Sequence, residues 1–98
     1  MIEVRYSEGN KIKVKMEGHA LFDVYGKDIV CAGTSALALT FADIAVEQGN
    51  STVKTARGRL SVEAESTDRI RYGLDYLLHG LRSIDAAYPG RLDIQKDG

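Results

Sequence analysis

Between Asp28 and Asp43 the chain carries no charged side chain, and that silence constrains the fold more than any other stretch. An apolar run of this length, entered through Asp28 and left through Gly49-Asn50, reads as one helix over Ile29 to Gln48, with Asp28 as its N-cap. At about 100° per residue, Val30, Gly33, Leu37, Phe41 and Ile44 share an arc expected to face a sheet. A second arc holds Cys31, Ser35, Ala38, Ala42 and Ala45, all small. So uncharged a helix must be covered on most sides, by a sheet, a second helix or a second subunit, which makes it the central element.

The flanking segments supply the cover. Ile2, Val4 and Tyr6 alternate with polar residues, and after Glu8-Gly9-Asn10 the alternation resumes at Ile12, Val14 and Met16, the pattern of an antiparallel hairpin. Lys11, Lys13 and Lys15 occupy its other face, as expected of a solvated side. A second hairpin is expected from Val53 to Arg57 and Leu60 to Glu65, broken at Gly58. Ser66-Thr67-Asp68 opens an amphipathic helix with Ile70, Leu74, Leu77, Leu78, Leu81, Ile84 and Tyr88 in one stripe. Gly73, Gly80 and Ala87 recur beside that stripe, where small residues let a neighbour approach closely. Pro89-Gly90 ends the helix, and Leu92 with Ile94 marks a short last strand. The expected fold is α+β, in ββαββαβ order, a mostly antiparallel sheet with two helices packed on it.

Length and composition bound the function. A chain of 98 residues is expected to make a single domain, 1–98. With 44% hydrophobic and 28% charged residues, the balance is that of a globular protein rather than a disordered one. No apolar run reaches the roughly 20 residues that spanning a membrane takes, and the start MIEVRYSEGNKIK lacks the apolar core of a signal peptide. A cytoplasmic location is expected. Thirteen basic against fourteen acidic residues, net charge −1, lack the electrostatic footprint of a dedicated nucleic-acid binder, so direct nucleic-acid binding is not expected. One cysteine and two histidines make a poor ligand set, and neither a metal nor another cofactor is expected.

The single thiol is then either buried filler or a reactive group. Cys31 falls in the first turn of the central helix, where unpaired backbone N–H groups and the helix dipole favour an anion. A thiolate is such an anion, and it is the form that attacks carbonyls. His19 follows Gly18 at a strand end, twelve positions earlier, so a strand-loop-helix turn can bring imidazole and thiol to one edge of the sheet. His79 lies nearly opposite the leucine stripe and is expected to face solvent. Asp28 has two competing roles. As a cap it occupies first-turn donors and adds negative charge beside the thiol, whereas turned toward His19 it orients the imidazole; capping is favoured. Ser35, one turn beyond Cys31, can bond within the site or to its own backbone.

Gly18-His19-Ala20, then Gly26-Lys27-Asp28-Ile29-Val30-Cys31-Ala32-Gly33, then Ser35-Ala36-Leu37, resembles the ribosomal-processing cysteine protease family, often called Prp. The ending Ala87-Tyr88-Pro89 is similar as well. Thr34 stands where many members carry an apolar residue, a departure that touches packing more than chemistry. The resemblance implies an endopeptidase that removes the N-terminal extension of a large-subunit ribosomal protein, L twenty-seven. It gives His19 and Cys31 the catalytic roles and makes Asp28 and Ser35 supporting positions. It further implies a homodimer, and a mobile cover over the cleft from Ala20 to Lys27. An apolar cleft is expected near Phe22, Val24, Tyr25 and Leu39.

Two other readings stay open on the residues alone. One is a non-enzymatic ribosome-associated assembly factor or dimeric adaptor, in which Cys31 fills a helix contact. The other, RNA binding through the lysine strand, has the least support.

Overall fold

Alternation dictates the first hairpin: β1 (Ile2–Glu8) and β2 (Lys11–Gly18) pair antiparallel with Val4 opposite Met16 and Tyr6 opposite Val14. This register puts Ile2, Val4, Tyr6, Ile12, Val14 and Met16 on one buried face, since a period of two sends every second side chain to the same side. The chain is described by a computed structural model at residues 1–21, 23 and 28–97. α1 (Ile29–Gln48) follows, then the second hairpin, β3 (Ser51–Ala56) and β4 (Arg59–Glu65), then α2 (Asp68–Ala87) and β5 (Leu92–Lys96). The order is ββαββαβ, as expected from the sequence.

The five strands form one sheet in the order β3-β4-β2-β1-β5. β4 pairs antiparallel with both β2 and β3, and only β5 runs parallel to its neighbour β1. Leu60, Val62 and Ala64 of β4 continue the buried face, which both helices cover in one hydrophobic core. The opposite face is solvated. There Lys11 and Lys13 meet the Glu63 carboxylate at 3.1 and 4.0 Å, so the lysine row is the hydrophilic side of a one-sided sheet.

Each helix starts at a cap that its sequence announces. Asp28 caps α1 by accepting the Cys31 N–H, and Thr67 caps α2 by accepting that of Ile70. Ile70, Leu74, Leu77, Leu78 and Leu81 of α2 are buried, each contributing roughly 1.5–3 kcal/mol relative to an exposed position. His79 faces solvent beside Asp75.

α1 is rotated relative to the expected arc. Its buried residues are Val30, Thr34, Ala38, Phe41, Ala42 and Ala45, so part of the small-residue arc faces inward. Gly33, Leu37 and Ile44 are only half-buried. The cause is the second helix, which lies antiparallel against α1. A Cβ on Gly33 would sit 3.3 Å from Ile84 Cδ1, one on Gly80 2.7 Å from Leu37 Cδ1, and one on Gly73 3.4 Å from Phe41 Cδ1. The small positions of α2 thus receive side chains of α1, and the alanines let the α1 backbone lie close to β3 and β4. By length and composition alone α1 passes for a membrane-crossing helix, which corrects the expectation drawn from run length. The physical reason is that alanine, glycine and threonine raise no polar barrier in a core helix.

Candidate active site

One edge of the sheet gathers the end of β2, the β3–β4 turn and the start of α1. Gly18 ends β2 at φ +103°, and a Cβ there would lie 2.3 Å from the Met1 carbonyl oxygen. Only glycine fits that crossing of two backbones. Its N–H donates to the Gly58 carbonyl at 2.9 Å, tying the strand end to the neighbouring turn. His19 therefore leaves the sheet at a fixed place. The His19 side chain rests over that turn, since a Cβ on Gly58 would meet its Nε2 at 2.9 Å and Cε1 at 3.2 Å.

The next residue reaches the thiol. The Ala20 N–H donates to Cys31 Sγ at 3.2 Å, and Ala20 itself is buried. Because the Ala20 nitrogen is bonded to the preceding carbonyl carbon, the Cα of His19 lies within roughly 6 Å of that sulfur. The backbone of His19 and the thiol are thus neighbours, and both residues line one cavity, with Cys31 half-buried and His19 exposed. No hydrogen bond links the two side chains among the described residues.

Asp28 does what a cap does, and more. It is 7% exposed; one carboxylate oxygen accepts the Cys31 N–H at 2.9 Å and the other the Asp23 N–H at 3.4 Å. The Cys31 N–H, a natural candidate for holding an oxyanion, is occupied by this cap. Ser35 is exposed on the turn beyond Cys31, and its hydroxyl makes no hydrogen bond among the described residues, neither within the site nor to its own backbone.

A cavity of about 640 Å³ opens between α1 and the β3–β4 hairpin. His19, Asp28, Cys31 and Ser35 all line it, joined by Leu39 and by Thr55 to Leu60. Of the expected apolar cleft, Leu39 is placed here, 54% exposed. Phe22, Val24 and Tyr25, with most of the expected cover from Ala20 to Lys27, lie outside the described residues. Sequence reasoning missed the part played by the β3–β4 turn, for which Gly58 was the available signal. Thr34, the departure from the family pattern, has a buried hydroxyl on the cavity wall with no partner among the described residues.

The family model for the cysteine protease Prp matches residues 1–93. The chain belongs to the cysteine protease Prp family. Among solved structures it is similar to the essential ribosomal processing protease Prp of S. aureus. In complex with a covalently linked product peptide, that protein is 25% identical with a TM-score of 0.81, over 99% of this chain and 100% of that one. In complex with a substrate peptide, it matches at 24% identity and a TM-score of 0.74, over the same shares. A Streptococcus mutans protein, SMU.848, matches at 20% identity with a TM-score of 0.73, over 98% of this chain and 93% of that one; the last two likenesses bear on the fold. No curated protein matches the chain.

Proposed function

We propose that the chain is a cysteine endopeptidase in which Cys31 is the nucleophile and His19 the base and acid, acting on the N-terminal extension of a large-subunit ribosomal protein, L twenty-seven. The observation that carries this reading is the 3.2 Å bond from the Ala20 N–H to Cys31 Sγ, which draws the residue after His19 onto a sulfur in the first turn of a helix. The mouth of a cavity large enough for a peptide segment opens at the same point. Membership of a protease family, and a relative described as a ribosomal processing protease that holds a covalently linked product peptide, support the same chemistry.

The steps follow from the groups present. His19 takes the thiol proton, and the Cys31 thiolate attacks the scissile carbonyl carbon to give a tetrahedral oxyanion. Collapse breaks the C–N bond while the His19 imidazolium protonates the departing amine, leaving a thioester on Cys31. Water, deprotonated by His19, attacks the thioester carbonyl and releases the new C-terminal carboxylate and the thiol. Asp28 and Ser35 support these steps, Asp28 by fixing the helix start. A cytosolic site of action accords with a ribosomal substrate.

Cys31→Ala and Cys31→Ser are expected to abolish cleavage of the extended ribosomal protein, read by product masses, with the fold retained by circular dichroism. Cleavage at the wild-type rate by either variant would end the proposal. We propose further that the protein acts as a homodimer. On α1 the exposed residues include Ala32, Leu39 and Val46, and on α2 Tyr72 and Tyr76, more apolar surface than helices of a monomer need to show. Sedimentation is expected to give twice the chain mass of 10.7 kDa; a monomer at micromolar concentration would contradict it.

A further inference from the structure

Arg91 stands 71 residues from Ala20 in the chain, yet its Nη1 donates to the Ala20 carbonyl at 3.3 Å and to the Leu21 carbonyl at 2.9 Å. Those two carbonyls bracket a residue in an uncommon conformation: Leu21 has φ +56°, in the left-handed region, with its side chain 72% exposed. An L-residue pays roughly 1–2 kcal/mol to sit there, and an exposed leucine side chain gains little from it. Holding both flanking peptide units from one nitrogen fixes the torsions on either side of the Leu21 Cα. Arg91 is itself anchored, since its backbone carbonyl accepts the Ile2 N–H at 2.9 Å at the start of β1.

We infer that Arg91 is a positioning residue for the cysteine: by clamping the Ala20 and Leu21 carbonyls it holds Leu21 left-handed and so keeps the Ala20 N–H on Cys31 Sγ. The inference rests on Cys31 being the nucleophile. A charged sulfur accepts an N–H bond more strongly than a neutral thiol does, so the Ala20 donor favours the thiolate. The same bond opposes the Asp28 carboxylate, which works against that charge from the other side of the helix start. Without the clamp, Leu21 relaxes toward negative φ and the Ala20–Leu21 peptide unit shifts, carrying with it the Ala20 Cα and so the preceding His19–Ala20 unit, whose N–H leaves the sulfur. Arg91 touches neither the sulfur nor the scissile bond in this scheme. It acts through the backbone of the residues that follow His19.

The test uses the full chain with Arg91→Met, which keeps an apolar stem and removes the donors, and Arg91→Lys, whose ammonium can still donate to both carbonyls. Iodoacetamide labelling of Cys31 is followed by mass across a pH series, alongside kcat and KM for the extended ribosomal protein and thermal melting. In Arg91→Met, labelling at neutral pH is expected to fall roughly three- to tenfold, the change set by loosening one hydrogen bond, with the midpoint of the profile moved to higher pH. The loss in cleavage is expected in kcat rather than KM, and Arg91→Lys is expected to recover most of both. An unmoved midpoint in a folded Arg91→Met overturns the inference, whether its labelling is unchanged or faster, and so does a folded Arg91→Lys that is no better than Arg91→Met. Wild-type labelling no faster than that of a free cysteine would instead bring down the nucleophile reading, and the inference with it.

Discussion

Replacing Gly58 separates what the β3–β4 turn does for stability from what it does for the site. The residue sits at φ +72°, so an alanine there incurs a left-handed backbone cost of about 1 kcal/mol. For a domain of this size that corresponds to a fall in Tm of roughly 4–8 °C. Asparagine tolerates the left-handed region better and loses less. Both residues add the same Cβ, 2.9 Å from His19 Nε2, where ordinary contact begins at 3.4 Å, so the imidazole must retreat by about 0.5 Å or more. Because the ring is the far end of a flexible side chain, this displacement adds little to the stability cost. For catalysis it matters more, since a misplacement of about 1 Å costs on the order of a hundredfold, and half of that roughly tenfold. Gly58→Ala and Gly58→Asn are therefore both expected to lose about tenfold in kcat/KM, although their melting temperatures differ. The assay is cleavage of the extended ribosomal protein well below both transitions, with melting followed by circular dichroism. A Gly58→Asn variant that cleaves at the wild-type rate would show that the ring position over Gly58 is irrelevant to the reaction, and the reasoning from contact distance would fail.

Asp28→Asn keeps an N-capping side chain while removing a negative charge near the sulfur, so half-maximal alkylation of Cys31 is expected at lower pH than in wild type. A shift to higher pH would show instead that the carboxylate acts by stabilising the His19 imidazolium. On the open sheet face, the hydrogen bond from Lys11, then its charge and those of Lys13 and Lys54, holds the Glu63 carboxyl below its usual 4.5. A depressed folded-state value contributes stability above the unfolded value, and that contribution is lost as pH falls through the folded one. Wild type is therefore expected to lose slightly more Tm than Glu63→Gln between about pH 5 and about pH 3, a difference that high salt should erase because the pair is exposed. Equal acid sensitivity of the two proteins would refute it.

What the residues disclosed in advance was whatever a local period or a local cap records. Ile2 to Tyr6 and Ile12 to Met16 alternate on either side of Glu8-Gly9-Asn10, so the first hairpin and its buried face were legible, and Asp28 and Thr67 mark helix starts by side chains that bond three residues ahead. The family string named His19 and Cys31, and the structure places both in the lining of one cavity. The rotation of α1 was not legible, because Val30, Phe41 and the alanines serve equally well on neighbouring arcs; only the glycines of α2, accepting Leu37 and Phe41, decide which side faces the sheet. Contacts between distant segments were silent too. Nothing near Gly58 says that a histidine rests on it, and nothing near Arg91 says that it holds the carbonyls of Ala20 and Leu21.

Those silent contacts share a physical role. A thiol beside a capping carboxylate is a poor place for negative charge, and the helix start alone leaves the matter undecided, since Asp28 occupies the Cys31 N–H that would otherwise favour the anion. The one donor that the described residues give the sulfur comes from outside the helix, from the backbone that leaves β2. That backbone reaches the sulfur only because Gly18 crosses the Met1 carbonyl, Gly58 leaves room for the imidazole, and Arg91 holds Leu21 left-handed. Three segments far apart in the chain thus fix one N–H donor on a sulfur and one ring over the neighbouring turn. A helix and a lone cysteine placed on another sheet, without that edge, would keep the cap and lose the counterweight.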